Sequence, residues 1–163
     1  MFVRKYVNLI RNYSNNTQHY LFAMVCKMKG SYLILLEIRN PTTIQIGRLR
    51  GTDFKKGFYV YVGSAMKGLS QRIQRHLRKQ KKIHWHVDYL LNHAKIVDIF
   101  YKQSNAREEC AIANTLEKTL STIPGFGCSD CTCKSHLFYG TYEDIKKAII
   151  HLEMKRYLVN AKS

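Results

Sequence analysis

Arg72 and His76 stand four residues apart in a segment where Leu69, Ile73 and Leu77 recur at every fourth position. That spacing predicts a helix with one apolar stripe, and the two polar side chains lie one above the other beside it. A guanidinium carries a permanent charge and a planar fork of donors, so it meets phosphate oxygens better than an ammonium does. Glu109 falls on the same helical face as Ile112 and Ala113, three and four residues before them. A carboxylate aligned with a core stripe is costly to bury bare and calls for a cation, either a metal ion or an arginine. A third group, Cys128, Cys131, Cys133 and His136, has the spacing C-x2-C-x-C-x2-H, which resembles the ligand spacing of a zinc site built from thiolates and imidazole. Four ligands packed into nine residues strain a tetrahedron, so Cys110 or a histidine of the His84-Trp85-His86 segment is an alternative ligand. Reduced cysteines in an ordered loop are the other reading.

These groups lie in or beside a strongly cationic stretch. From Lys55 to Val87 the chain holds nine Lys or Arg, three His and no Asp or Glu. Lys55, Lys56, Lys67, Arg75, Arg78, Lys79, Lys81 and Lys82 supply charge for a polyanion. His84 and His86 flank Trp85, whose face suits either an unpaired base or the core. Over 163 residues, 27 Lys and Arg oppose 11 Asp and Glu, a formal charge of +16, and so large an excess attracts phosphate backbones or anionic lipid. The cations are interleaved with strand and helix core rather than strung along one amphipathic helix, which favours nucleic acid, DNA first, over a membrane. No run approaches the ~20 apolar residues of a membrane-spanning helix. Five cysteines, an odd number with three clustered, suit a reduced interior better than a disulfide framework, so the expected location is the cytoplasm. The segment Tyr20 to Cys26 follows a polar block and lacks a small-residue cleavage pattern, so it does not read as a secretory signal.

Positioning these side chains requires a mixed α/β domain. The length and a hydrophobic content of 45% support one core. Residues 1–27 read as an extension, 28–140 as the domain, and 141–163 as a C-terminal helix and a frayed tail. Ser31 to Ile38 is an apolar run of strand length ended by Asn40-Pro41, Thr42 to Ile46 alternates as a second strand, and Phe58 to Val62 is a third. Three strands in series predict an antiparallel meander, with residues 47–56 as a basic connection. The helix after Gly68 is followed by a short one within residues 84–91, a strand over Ile96 to Tyr101, a helix over residues 106–120 and a short strand over Leu137 to Tyr139. A last helix is capped by Thr141 with Asp144.

The tripeptides Gly30-Ser31-Tyr32 and Tyr61-Val62-Gly63 complete a pattern, with Arg72 nine residues after the second and His76 four further on. Together with GFYVYVGSA, RIQRH, HWHVDYLL and the PGFG and SHLFY segments, they resemble the GIY-YIG nuclease superfamily, most closely its small Uri-type branch, over roughly residues 28–140. The resemblance implies a central three-stranded antiparallel sheet flanked by helices, and hydrolysis of a phosphodiester with one divalent metal, Mg2+ or Mn2+. It implies that Tyr32 and Tyr61 serve as or assist the general base, that Arg72 faces the phosphate with His76 beside it, and that Glu109 holds the metal. A tyrosine, with an ordinary pKa of about 10, is a poor base at neutral pH, and nearby cations are expected to favour its phenolate. Ser31 stands where the family name has isoleucine, which reads as a change in packing, and the strand over residues 42–46 is an insertion. A nucleic-acid-binding module that keeps the fold without hydrolysis is the alternative.

Overall fold

A computed structural model of the chain describes residues 28–158. The extension expected over 1–27 and the tail expected from Asn160 lie outside the described residues. Among the described residues no helix is long and apolar enough to cross a membrane.

Strand β1 (Gly30–Ile38) is apolar at successive positions because both of its faces are covered, and Leu33 through Leu36 are all buried. It pairs antiparallel with β4 (Gly57–Ala65) on one side and β5 (Lys95–Gln103) on the other. Short strands extend both edges: β7 (Leu137–Gly140) and β6 (Ser121–Thr122) beyond β4, and β8 (Lys155–Arg156) beyond β5. The sheet therefore has six strands in the order β6-β7-β4-β1-β5-β8, rather than three. Its outer members are two or four residues long, too short for alternation to announce them.

The expected meander does not form. The strand β2 (Thr42–Gln45) pairs only with β3 (Gly51–Phe54), in a separate two-stranded sheet. Asn40-Pro41 turns the chain away from β1, and left-handed backbone at Gly47 and Arg50 brings it back on itself. Part of the stretch read as a basic connection is thus the second half of a hairpin, whose Ile44 and Phe54 enter the core.

Helices α1 (Leu69–Leu77) and α2 (His86–Leu91) cover one face of the main sheet, with Leu69, Ile73, Val87 and Leu90 against Tyr32, Ile34, Tyr59 and Tyr61. Helices α3 (Glu109–Leu116) and α4 (Tyr142–His151) cover the other, with Ile112, Leu116, Ile145 and Ile149 against Leu33, Leu35, Val60 and Val62. Helix α3 is shorter than the periodicity suggests, because the Ser104 hydroxyl accepts the Ala106 N–H in a turn of its own. The Thr141 hydroxyl accepts the Asp144 N–H at 3.1 Å and opens α4 as expected.

One motif residue has a direct packing cause. Gly63 lies across from Tyr32 in the β1–β4 ladder, and a Cβ there would run into the Tyr32 phenol ring. Gly63→Ala should therefore cost about 1–3 kcal/mol, as overpacking of a filled core does. The midpoint of urea unfolding checks this, and an unchanged midpoint would mean that the ring does not occupy that space.

Candidate active site and adjoining thiol cluster

Tyr32 and His76 meet in a bond of 2.8 Å between the phenol oxygen and Nε2, and each side chain is only 2% exposed. Alternation along β1 and β4 puts Tyr32 and Tyr61 on the face covered by α1, with ring centroids 6.4 Å apart. Tyr61 lies 6.4 Å from the His76 ring and keeps 8% of its surface open. Arg72, one turn before His76 on α1, has its guanidinium carbon 4.1 Å from the centre of the Trp85 ring, and that of Arg75 lies at 4.0 Å. Trp85 is thus a half-buried shelf for two guanidinium groups, partly fulfilling the reading that placed it in the core.

Asp88 is the residue that sequence reasoning passed over. It is fully buried on α2 and takes both prongs of Arg75 at 2.9 Å, together with the N–H groups of His84 and Trp85 at 2.9 and 3.0 Å. Burial works against its charge, but these donors prevail and hold its carboxyl down at about 2. Its signal was available: Asp88 is the first acid after the long acid-free stretch, and it stands three residues after the residue that opens a helix. The Nδ1 of His76 is buried without a hydrogen-bond partner and lies 4.0 Å from the Asp88 carboxylate. A proton on Nδ1 faces that negative charge favourably, which leaves Nε2 to accept the Tyr32 O–H.

Burial dominates the titration of this cluster. It lowers His76 to about 3, so the imidazole is neutral at physiological pH. It also raises both Tyr32 and Tyr61 well above the ordinary tyrosine value, although Arg72 pulls each of them down. The expectation that neighbouring cations favour a phenolate is therefore corrected. The loss of hydration outweighs the nearby charge, and both side chains rest as phenols.

Glu109 opens α3 on the opposite face of the sheet. Its carboxylate accepts a hydrogen bond from the Ser64 hydroxyl and lies 3.8 Å from Arg107, and its charge is still felt at the Tyr61 phenol. Ser31 reaches Ser64 at 3.1 Å and accepts the Glu108 N–H at 3.3 Å. Because the Ser64 proton goes to Glu109, Ser31 is the donor to Ser64. Ser31 is consequently a buried polar link in a chain ending at Glu109, not the packing change its position in the tripeptide suggests. Glu109 is thus a single, largely covered carboxylate already engaged by a hydroxyl and facing a guanidinium.

The thiol cluster takes the alternative membership, with Cys110 in place of Cys128. The ligand atoms of Cys110, Cys131, Cys133 and His136 lie within 4.8 Å of one another and could hold a metal ion such as zinc. Cys110 comes from α3, which relieves the crowding of four ligands into nine residues. Cys128 is outside the group, with its thiol donating to the Lys134 carbonyl at 3.6 Å. Burial and the neighbouring thiols push Cys110 up to about 12.

Among the residues read as a nucleic-acid face, Lys55, Lys56, Lys67, Arg78, Lys79, Lys82 and His84 are exposed. Three others have internal partners. Arg75 grips Asp88, Lys81 donates to the His76 and Arg78 carbonyls at 2.7 and 3.1 Å, and His86 accepts the Gly127 N–H at 3.0 Å. Lys81 thereby closes the end of α1, where cations suit the helix dipole.

A family model described as a domain of unknown function, DUF123, matches residues 31–158. No curated protein and no solved structure matches the chain.

The buried histidine has a consequence in acid. The folded chain leaves His76 unprotonated until pH nears 3, whereas an unfolded histidine takes up a proton near its ordinary value of about 6.5. Between those values the unfolded state binds more protons, so stability must fall as pH drops. Asp88 adds a lower window, with stability lost as pH falls from about 4 to about 2. The urea midpoint of the wild type should therefore decline below pH 6.5, and His76→Gln should decline less steeply between pH 6.5 and 3. Parallel curves would show that His76 is not a neutral buried group.

Proposed function

The chain belongs to the DUF123 family, and from its own residues we propose that it is a metal-dependent endonuclease of the GIY-YIG type acting on DNA. The observation that carries this reading is the gathering of Tyr32, Tyr61, Arg72 and His76 around one 2.8 Å phenol–imidazole bond. Glu109 would hold a single Mg2+ or Mn2+, which when bound polarises a phosphoryl oxygen or takes up the charge of the leaving oxygen.

Arg72 binds the scissile phosphate and meets the charge that builds on it during attack. The Trp85 ring carries the guanidinium and limits its freedom. Since neither tyrosine rests as a phenolate, the proton of the attacking water has to leave through a relay. The Tyr32 oxygen accepts it while passing its own proton to Nε2 of neutral His76. Burial holds that imidazole at about 3 in the free chain, so the step needs the negative charge of the bound phosphate, added to that of the Asp88 carboxylate across Nδ1, to raise it. Tyr61, the more open of the two phenols, orients the water or a phosphate oxygen. Lys55, Lys56, Lys67, Arg78, Lys79 and Lys82 hold the backbone without regard to sequence, so affinity should weaken steeply with salt.

One observation favours a second reading, a binding module without hydrolysis: Glu109 stands on the far face of the sheet and already engages Ser64 and Arg107. Incubation of the purified chain with labelled single-stranded, duplex and branched DNA and RNA separates the two. Magnesium- or manganese-dependent cutting that stops on chelation supports the endonuclease, and retention without cutting supports the module. Arg72→Ala and Glu109→Gln should each lower the cutting rate by about 10²–10³-fold while binding stays measurable. Wild-type cutting in either variant would remove that residue's role.

A further inference from the structure

We propose that Cys110, Cys131, Cys133 and His136 bind one zinc ion, and that this ion fastens the start of α3 to the loop lying over Tyr61. The distances suit the ion. With zinc–sulfur bonds of about 2.3 Å and zinc–nitrogen bonds of about 2.0–2.1 Å, the ligands of a tetrahedron stand roughly 3.5–3.8 Å apart. His136 Nε2 lies 3.6 Å from the Cys131 sulfur and 3.9 Å from that of Cys110, and all four atoms fall within 4.8 Å of one another.

Four protein ligands fill the coordination sphere, so the ion is structural and separate from any hard cation at Glu109. On binding, three thiols lose three protons to the solvent and the imidazole stays neutral, leaving a Zn(S)3N centre with a net charge of −1.

The surrounding backbone needs such a fastening. Between Pro124 and Lys134 the loop has Phe126 as its one fully buried apolar side chain. Beyond Phe126, Cys133 packs at the edge of the second core, and hydrogen bonds tie the rest: Gly127 to His86 at 3.0 Å, Gly125 to the Lys134 carbonyl at 2.8 Å, and the His136 N–H to the Phe126 carbonyl at 2.7 Å. The His136 carbonyl also accepts the Val62 N–H at 2.9 Å, which sets the ligand beside the second tyrosine tripeptide. Gly127 lies against the Tyr61 ring, where a Cβ would come within 3.2 Å of it. Cys110 is the neighbour of Glu109 in sequence. One ion thus ties together two segments, of which one carries the candidate metal-binding carboxylate and the other covers the more open phenol. That functional consequence rests on the endonuclease reading, whereas zinc binding does not.

The test is the metal content of the full chain purified without added metal, by mass spectrometry, followed by removal and reloading with zinc or cobalt. One zinc per chain is expected, and cobalt should give the visible absorption of a tetrahedral thiolate centre. Cys128→Ser should keep the full content. Cys110→Ser should lose more than about tenfold in zinc affinity, since even partners that only orient a ligand are worth about 10–100-fold. If Cys110→Ser does not fold, the cobalt spectrum of Cys128→Ser decides the ligand set: identity with the wild type supports it, and a lost thiolate band overturns it. A wild-type chain that takes up neither metal, or a folded Cys110→Ser with full zinc, also overturns the proposal. None of these readouts involves cutting, so an inactive chain that binds zinc would count against the endonuclease alone.

Discussion

Asp88 has no surface open to water, and removing the partner of a buried charge generally costs about 3–5 kcal/mol. Its compensation is unusually complete: both prongs of Arg75 and two backbone N–H groups converge on one carboxylate. Because Arg75 is on α1 and Asp88 on α2, this pair joins the two helices that cover the tyrosine face. The N–H groups it accepts belong to His84 and Trp85, so it also fixes where Trp85 stands, and Trp85 in turn supports Arg72. Its charge lies 4.0 Å from His76 and selects the tautomer that accepts from Tyr32. A change at Asp88 would reach the imidazole, the phenol and the guanidinium together.

Burial and charge compete at the phenols, and burial prevails. Arg72 favours ionisation of both, yet dehydration raises both. The same dehydration keeps His76 neutral, so the site holds a proton donor and a proton acceptor in contact at neutral pH. Gly63 leaves room on this covered face for the Tyr32 phenol, which a Cβ there would meet.

The long, doubly covered strand β1 was legible because Ser31 to Ile38 is apolar at almost every position, and α1 because Leu69, Ile73 and Leu77 keep a period of four. The hairpin was half legible: Thr42 to Gln45 alternates plainly, but its partner Gly51–Phe54 hides behind Arg48 and Arg50, and positive φ at a non-glycine residue carries no sequence mark. The gathering of Tyr32 with His76 was anticipated through motif order alone, while the role of Asp88 was not. A single acid in a basic stretch looks like a solvated charge until Arg75 is seen to face it. The thiol cluster was more legible than Asp88. Local spacing points to Cys128, the crowding of four ligands into nine residues already names Cys110 as a substitute, and the fold selects it by carrying α3 to the same place.

The division of the candidate residues between two faces follows from the period of a strand. Tyr32 and Gly63 point to one side of the sheet, so their neighbours Ser31 and Ser64 must point to the other. All four lie near one end of the central strands, where Gly30 pairs with Ala65 on one flank and Gln103 on the other. The ends of the layers meet at that rim: the first N–H of α1 bonds to the Met28 carbonyl, and the Glu108 N–H ahead of α3 bonds to Ser31. A sheet is one backbone thick, so at its rim a group from each side can approach the same solvent-facing point without passing through the core. Glu109 keeps its Ser64 partner at this rim, and its charge still reaches the Tyr61 phenol.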